Sequence, residues 1–199
     1  MRFFDLKYLI IAGMLLPFVL VAMALVSPEG PDYKVVQRGD GFQLRDYAPL
    51  RVAETKVAGG FAEADDAAYP LLLDYLHGRN SMGQQVSMIA PVMQQQVDLD
   101  GDQGWLMQFT MPQEFPLGML PQPAVANVDL RELPERLMAA RRYRGDWDES
   151  HWQQQADKLV SAVERAGLTP IGEPVFARYN APFVPGFLRR NEVLLSVQR

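Results

Sequence analysis

Few side chains of this chain are suited to chemistry at neutral pH. Its 199 residues include no cysteine, ten methionines and two histidines, His77 and His151. Without cysteine there is no thiolate nucleophile, disulfide or iron–sulfur cluster. The sequence also lacks Gly-x-Ser-x-Gly, His-Glu-x-x-His and a glycine-rich phosphate loop. We therefore expect binding rather than catalysis. Hydrolysis of a small apolar substrate by strand carboxylates such as Glu54 or Glu132 is the remaining enzymatic hypothesis.

An acidic stretch, Asp98-Leu-Asp-Gly-Asp102-Gln-Gly104, is similar to the start of a calcium-binding loop. Gln103 stands where such a loop needs glycine, and Phe109 stands where it needs a bidentate glutamate. We interpret the stretch as a hairpin turn between two strands.

His77 is the histidine better placed for ligand chemistry. It precedes Gly78 at the predicted end of a helix, on the same helical stripe as Tyr69 and Leu73. Neutral imidazole is a common iron ligand. The alternative is a solvated histidine near a helix C-terminus. His151 opens a second predicted helix among polar residues, and we expect it to be solvated.

The helix that carries His77, predicted over residues 62–77, is apolar on two sides. One stripe consists of Ala68, Leu72, Tyr75 and Leu76, and the other consists of Tyr69, Leu73 and His77. A single stripe is enough to pack against a sheet. The second stripe must therefore meet other protein, a membrane or a ligand.

A loop over residues 183–188 is also unusually apolar, although loops normally run over the surface and are polar. Its apolar members are Phe183, Val184, Phe187 and Leu188. Either this loop covers the second stripe as core, or helix and loop are the two walls of a cleft. Arg189 and Arg190 follow. They either meet an acidic ligand or pair with Glu192 and hold the corner before the last strand.

An internal repeat predicts the architecture. Residues 44–61 align without gaps on residues 130–147, at an offset of 86, with identities at Leu44/Leu130, Arg45/Arg131, Ala53/Ala139 and Gly59/Gly145. A helical segment and two strand-like segments follow each copy, as in a duplicated unit. The prediction is an α+β fold of two strand–strand–helix–strand–strand halves, with an antiparallel sheet curled into a distorted barrel. The second helix is predicted over residues 150–166. Strands are predicted over residues 33–38, 42–47, 51–57, 85–97, 105–111, 126–133, 136–143, 175–179 and 192–197.

The first 30 residues are predicted to be a targeting segment with a short linker, followed by one domain over residues 31–199. Residues 9–26 form an uncharged run of 18 residues. This length lies at the threshold for a membrane-spanning helix. Ala22-Met-Ala24 is a small-x-small cleavage site. The segment is thus an uncleaved signal anchor or a signal peptide cleaved after Ala24. Because Arg2 and Lys7 precede the apolar run, we expect an envelope protein, anchored in the inner membrane or periplasmic, with its domain in the periplasm.

The chain is mildly acidic, with a formal net charge of −5. A nucleic-acid-binding domain needs a basic stripe, and the sequence shows none. We therefore expect no nucleic-acid partner.

Several short segments share a characteristic order and spacing. They are Val86-Ser-Met-Ile-Ala-Pro-Val92, Phe109-Thr-Met-Pro112, Phe115-Pro116, Val128-Asp-Leu-Arg-Glu-Leu-Pro-Glu-Arg136 and the stretch from Tyr179 to Leu195. With these segments, over roughly residues 33–197, the chain resembles a bacterial, exported or membrane-anchored member of the SOUL/heme-binding protein family.

The resemblance implies a distorted barrel of two similar halves, with a tetrapyrrole held between the first helix and the closing loop. It implies weak, non-covalent heme binding by Tyr69, Leu73, His77, Phe183, Val184, Phe187 and Arg189, with His77 as the candidate iron ligand. The first helix carries Asp65, Asp66 and Asp74, which repel heme propionates. The alternative is an envelope interaction module whose cleft binds a lipid, a hydrophobic metabolite or a partner peptide.

Overall fold

The computed structural model of the protein describes residues 30–198. The predicted targeting segment, including residues 9–26, lies outside the described residues. Within the described part of the chain, none of the helices has the length and apolar character needed to cross a membrane.

The described residues form an α+β fold with nine strands and two α-helices. The strands are β1 (Tyr33–Gly39), β2 (Phe42–Tyr47), β3 (Leu50–Ala58), β4 (Ile89–Leu99), β5 (Asp102–Thr110), β6 (Asp129–Leu133), β7 (Arg136–Tyr143), β8 (Thr169–Arg178) and β9 (Asn191–Gln198). The helices are α1 (Phe61–Leu76) and α2 (Glu149–Arg165). Their type and order confirm the predicted elements, although β4 and β6 begin later than predicted and β5 and β8 begin earlier.

One antiparallel sheet contains all nine strands, in the order β1-β2-β7-β9-β8-β4-β5-β3-β6. The sheet curls into a half-barrel. Among the described strands β1 and β6 each have a neighbour on one side alone, so this part of the chain forms an open sheet rather than a closed barrel.

The strand pairing is symmetric about the centre of the sheet. After β1, the chain runs β2-β3-α1-β4-β5 and then β6-β7-α2-β8-β9. Leu44 pairs with Ala139, and Ala53 pairs with Leu130. Because Leu130 is the repeat equivalent of Leu44 and Ala139 is that of Ala53, the offset of 86 residues relates the two pairings. The duplication itself stays a prediction.

Turn chemistry sets the hairpins. At the β4–β5 hairpin, Asp100 and Gly101 have φ values of 56° and 95°, as a two-residue turn of the primed type requires. The Oδ1 atom of Asp98 accepts a hydrogen bond from the Gly101 N–H at 2.9 Å. The acidic stretch is therefore the predicted hairpin. Among the described residues no group of three or more His, Cys, Asp or Glu side chains is arranged to hold a metal ion.

Both helices pack on the same face of the sheet. Phe176, under α2, pairs with Gln94, and Gln94 pairs with Met107, under α1. Paired residues of neighbouring strands share a face. Within residues 30–198 no helix packs on the opposite face, yet Ala177 and Leu194 are buried there in a third cluster. The curl of the sheet encloses this inner face.

Candidate functional site

A cleft of about 500 Å³ lies between α1, the start of β4 and residues 179–182. Its apolar walls include Tyr69, Pro70, Met88, Ile89, Trp147, Tyr179 and Ala181. Its polar residues include Asp65, Asp66, Arg178 and Asn180. The volume falls in the range of small-molecule sites, which are mostly apolar with a few placed polar groups.

The helix α1 forms one wall of the cleft. Some of its side chains face the sheet, and others face the cleft. Ala64, Ala68 and Leu72 are buried against the sheet. Tyr69 and Asp65 are four residues apart and lie one above the other on the cleft side. The Tyr69 ring packs edge-on against Phe109, with ring centroids 5.0 Å apart. Tyr69, the first residue of the predicted second stripe, therefore lines a cavity.

The stripe does not line the cleft along its whole length. Leu73 packs against the core cluster beneath α1. His77 is exposed and is the C-terminal cap residue of the helix. Neither residue is among those that line the cleft.

An ion pair lies at the polar side of the cleft. The guanidinium of Arg178 donates to both carboxylate oxygens of Asp65, at 2.5 and 3.0 Å. Arg178 is 5% exposed and stacks over the Trp147 ring at 4.9 Å. Because Arg178 is committed to Asp65, the carboxylate of Asp66 has no partner among the described residues that line the cleft. The polar side of the cleft therefore carries a net negative charge.

The apolar loop does not close over α1. Phe183 and Phe187 are 71% and 72% exposed and do not line the cleft. Arg189 holds the loop by donating to the carbonyl oxygens of Val184, at 2.7 Å, and Pro182, at 2.8 Å. Its guanidinium also stacks over Trp147 at 4.4 Å. The wall opposite α1 is instead the segment before the loop, residues 179–182.

The arginine pair belongs to a structural corner. Arg190 donates to Oε1 of Glu192 from Nε and Nη2, at 3.2 and 2.9 Å. Glu192 also binds Arg45 on β2, at 2.7 and 3.2 Å. The predicted pairing with Glu192 is confirmed for Arg190 and is wrong for Arg189, whose guanidinium pairs with Asp146 at 3.4 Å. Arg45 is a member of the network that sequence reasoning missed.

Of the seven predicted ligand-binding residues, the structure places Tyr69 in the cleft. It does not bring Leu73, His77, Phe183, Val184, Phe187 and Arg189 together there, and ligand contact by these six stays a prediction. The cleft residues that sequence reasoning missed include Ile89, Trp147, Arg178 and Tyr179. Two features of the sequence could have drawn attention to these residues. The Val86–Val92 motif contains Met88 and Ile89, and the repeat alignment matches Trp147 with Phe61.

The curled antiparallel sheet, the two helices on one face and the apolar cleft beside α1 define a small α+β domain with a pocket of ligand size. Residues 28–196 match the SOUL heme-binding protein family. Because this match covers most of the chain, the protein belongs to that family. No curated protein matches the chain.

Solved structures share the fold at low identity. The C-terminal domain of EcmrR is 12% identical with a TM-score of 0.62, over 84% of this chain and 98% of that one. A hydrolase from Listeria innocua is 12% identical with a TM-score of 0.53, over 82% and 94%. An uncharacterized conserved protein from Listeria innocua is 11% identical with a TM-score of 0.54, over 89% and 96%. At these identities the similarity shows the fold alone.

Proposed function

We propose that the domain binds an apolar small molecule, a tetrapyrrole such as heme in the first place, without catalysing a reaction on it. The observation that carries the proposal is the cleft of about 500 Å³ walled by Tyr69, Trp147 and Tyr179. Aromatic walls offer large apolar area to a flat ring system. Membership of the SOUL heme-binding family supports a tetrapyrrole as that ring system.

The residues of the cleft fit the faces of a tetrapyrrole better than its iron. Among the described residues that line the cleft there is no histidine, and Met88 offers a thioether sulfur as a weak axial donor. We therefore expect a tetrapyrrole to bind through packing against its ring faces rather than through a strong axial bond to its iron. This agrees with the weak, non-covalent binding expected from the sequence.

The charges of the cleft dictate how such a ligand lies. Arg178 is neutralised by Asp65, and Asp66 adds a negative charge at the exposed side of α1. Propionates placed beside these carboxylates would be repelled. We infer that the propionates point away from α1 and into solvent.

The same charges favour a second candidate, a neutral or cationic hydrophobic metabolite in the same cleft. Aromatic faces attract cations, and an unpaired carboxylate adds to this attraction. In that case the protein is an envelope interaction module rather than a heme carrier.

Titration of the protein with hemin, iron-free protoporphyrin and a tetracationic porphyrin, followed by the Soret band, separates the candidates. Heme binding predicts saturable binding of hemin in the micromolar range. Stronger binding of the cationic porphyrin than of hemin supports the second candidate, and saturation by none of the three contradicts both.

Two tryptophan substitutions locate the ligand. Ala181→Trp places a large ring in the cleft and should weaken binding at least about tenfold by displacing the ligand. Ala126→Trp makes the same change at an exposed position outside the cleft and should leave binding unchanged. Equal affinities of the two variants would place the ligand elsewhere.

We further propose that the domain works in the cell envelope, held there by residues 9–26 or released after cleavage behind Ala24. The uncharged run in residues 9–26 supports this location. A heme or lipophilic ligand would then be captured on the periplasmic side of the inner membrane.

A further inference from the structure

A second cavity, of about 570 Å³, opens on the inner face of the half-barrel between β1, β2, β7 and β9. Unlike the cleft at α1, it is polar, and four arginines line it: Arg38, Arg45, Arg142 and Arg190. Glu192 is the one carboxylate among the described residues that line it. This concentration of positive charge occurs in a chain whose net charge is −5.

The floor of the cavity holds more positive than negative charge. Glu192 is 0% exposed and Arg45 is 3% exposed. Arg45 and Arg190 both bind the Glu192 carboxylate, so two guanidiniums share one negative charge. Burying a charge without a compensating partner is costly. A counter-ion from solvent would offset this cost.

The tyrosines of this network do not supply the missing negative charge. The Tyr47 hydroxyl accepts from Nη1 of Arg45 at 2.9 Å, and the Tyr179 hydroxyl donates to Oε2 of Glu192 at 3.1 Å. Burial, with the charge of Glu192 beside it, holds the pKa of Tyr179 well above its usual value. Burial also raises the pKa of Tyr47, so both phenols stay neutral.

The rim of the cavity adds two further cations. Arg142 pairs in register with Glu192, and Arg38 lies on the edge strand β1. Both side chains are exposed, and neither has a carboxylate partner within residues 30–198. Guanidinium groups present paired N–H donors that match the oxygens of a phosphate or a carboxylate.

We propose that this cavity binds a small oxyanion, the phosphate or carboxylate group of a solute. Arg142 and Arg190 bind the anion directly. Arg45 and Glu192 are positioning residues, because they hold the Arg190 guanidinium in a fixed orientation. The site lies outside the apolar cleft, although Tyr179 lines that cleft and its hydroxyl reaches Glu192.

The test is calorimetric titration of the full-length protein with inorganic phosphate and, separately, with citrate, at constant ionic strength in sodium chloride. The proposal expects saturable binding of at least one of these probes. Arg142→Gln removes one cation at the rim without touching the buried pair, and should weaken binding at least about tenfold.

The matched control is Arg144→Gln. It makes the same charge change two residues away, at an exposed side chain that does not line the cavity. Unchanged affinity in this control, with loss in Arg142→Gln, supports the site. Absence of saturable binding in the unaltered protein, or equal losses in the two variants, overturns it. Because hemin is not used, failure here leaves the proposal for the α1 cleft intact.

Discussion

At the scale of single residues, Glu192 connects the two cavities. Its buried carboxylate accepts from Arg45, Arg190 and Tyr179, which reach it from β2, from the loop corner and from the end of β8. Burial alone would raise the pKa of Glu192. The hydrogen bonds and charge of Arg45 and Arg190 outweigh burial and bring this pKa below its usual value.

Glu192→Gln should therefore destabilise the fold and change its pH dependence. At pH 7 it leaves the buried guanidinium of Arg45 and the half-buried one of Arg190 without their carboxylate, at a cost of about 3–5 kcal/mol. Because the folded pKa lies below the unfolded one, the stabilisation by Glu192 is present above the unfolded pKa. It is lost as the pH falls through the folded pKa. Urea unfolding at several pH values between 3 and 7 measures both effects, and the variant should lose less stability on acidification.

Glu132→Gln is the control for that experiment. Glu132 pairs with Arg51 at 3.1 Å on the surface, where such pairs contribute about 0–1 kcal/mol. If Glu132→Gln and Glu192→Gln cost the same free energy of unfolding, the buried network does not stabilise the fold as we infer.

His77→Ala addresses the predicted iron ligand. Since His77 is exposed at the end of α1 and does not line the cleft, the Soret spectrum of the hemin-bound protein should not change. A shifted band or a loss of hemin affinity, with far-UV circular dichroism unchanged, would restore His77 as a ligand.

At the scale of elements, the two helices are stabilised differently. The N-terminal cap of α2 is Asp148, whose Oδ1 accepts from the His151 N–H at 2.8 Å. The N-terminal cap of α1 is Gly60, without a side-chain hydrogen bond, and Pro70 lies inside the helix. Pro70 cannot donate a hydrogen bond to the Asp66 carbonyl. The helix that walls the cleft is thus the one with weaker local stability.

Pro70→Ala should stabilise the protein by about 2 kcal/mol. Alanine restores the helix hydrogen bond that proline removes, and the greater freedom of the unfolded chain offsets part of this gain. Because Pro70 is exposed, no core contact is lost. Urea unfolding measures the change. The control is Pro182→Ala, in the segment 179–182 opposite α1, which should not raise the free energy of unfolding. If Pro70→Ala lowered the free energy of unfolding, proline would stabilise α1 at this position, and our inference would be wrong.

At the scale of the whole molecule, the two faces of the sheet carry different properties. The face under the helices is the main apolar core, and the apolar cleft lies beside α1 on this side. The inner face combines a smaller apolar cluster with the arginine-rich cavity. A single curled sheet thus separates an apolar, negatively charged site from a polar, positively charged one.

Membrane fractionation tests the proposed location of the whole chain. The full-length protein should sediment with membranes if residues 9–26 anchor it, while a chain beginning at Gly30 should stay in the supernatant. A periplasmic product whose mass corresponds to cleavage after Ala24 would support the signal peptide instead. Full-length protein recovered intact from the soluble fraction contradicts both forms of the proposal.

Local sequence patterns were enough to predict the order of helices and strands, the hairpin at Asp100-Gly101, the position of Tyr69 on a second side of α1 and the family. These follow from turn chemistry, side-chain periodicity and short motifs, which act over a few residues. They were therefore readable without the fold, as was the pairing of Arg190 with Glu192 two positions away.

Contacts between side chains far apart in the chain became visible in the folded structure. Arg45 reaches Glu192 across 147 residues and Arg178 reaches Asp65 across 113. The folded structure also decided that residues 179–182, rather than Phe183 and Phe187, face α1 across the cleft. The physical reason is strand register. The register in which distant strands pair determines the face of the sheet on which each side chain lies, and a local sequence pattern does not specify that register.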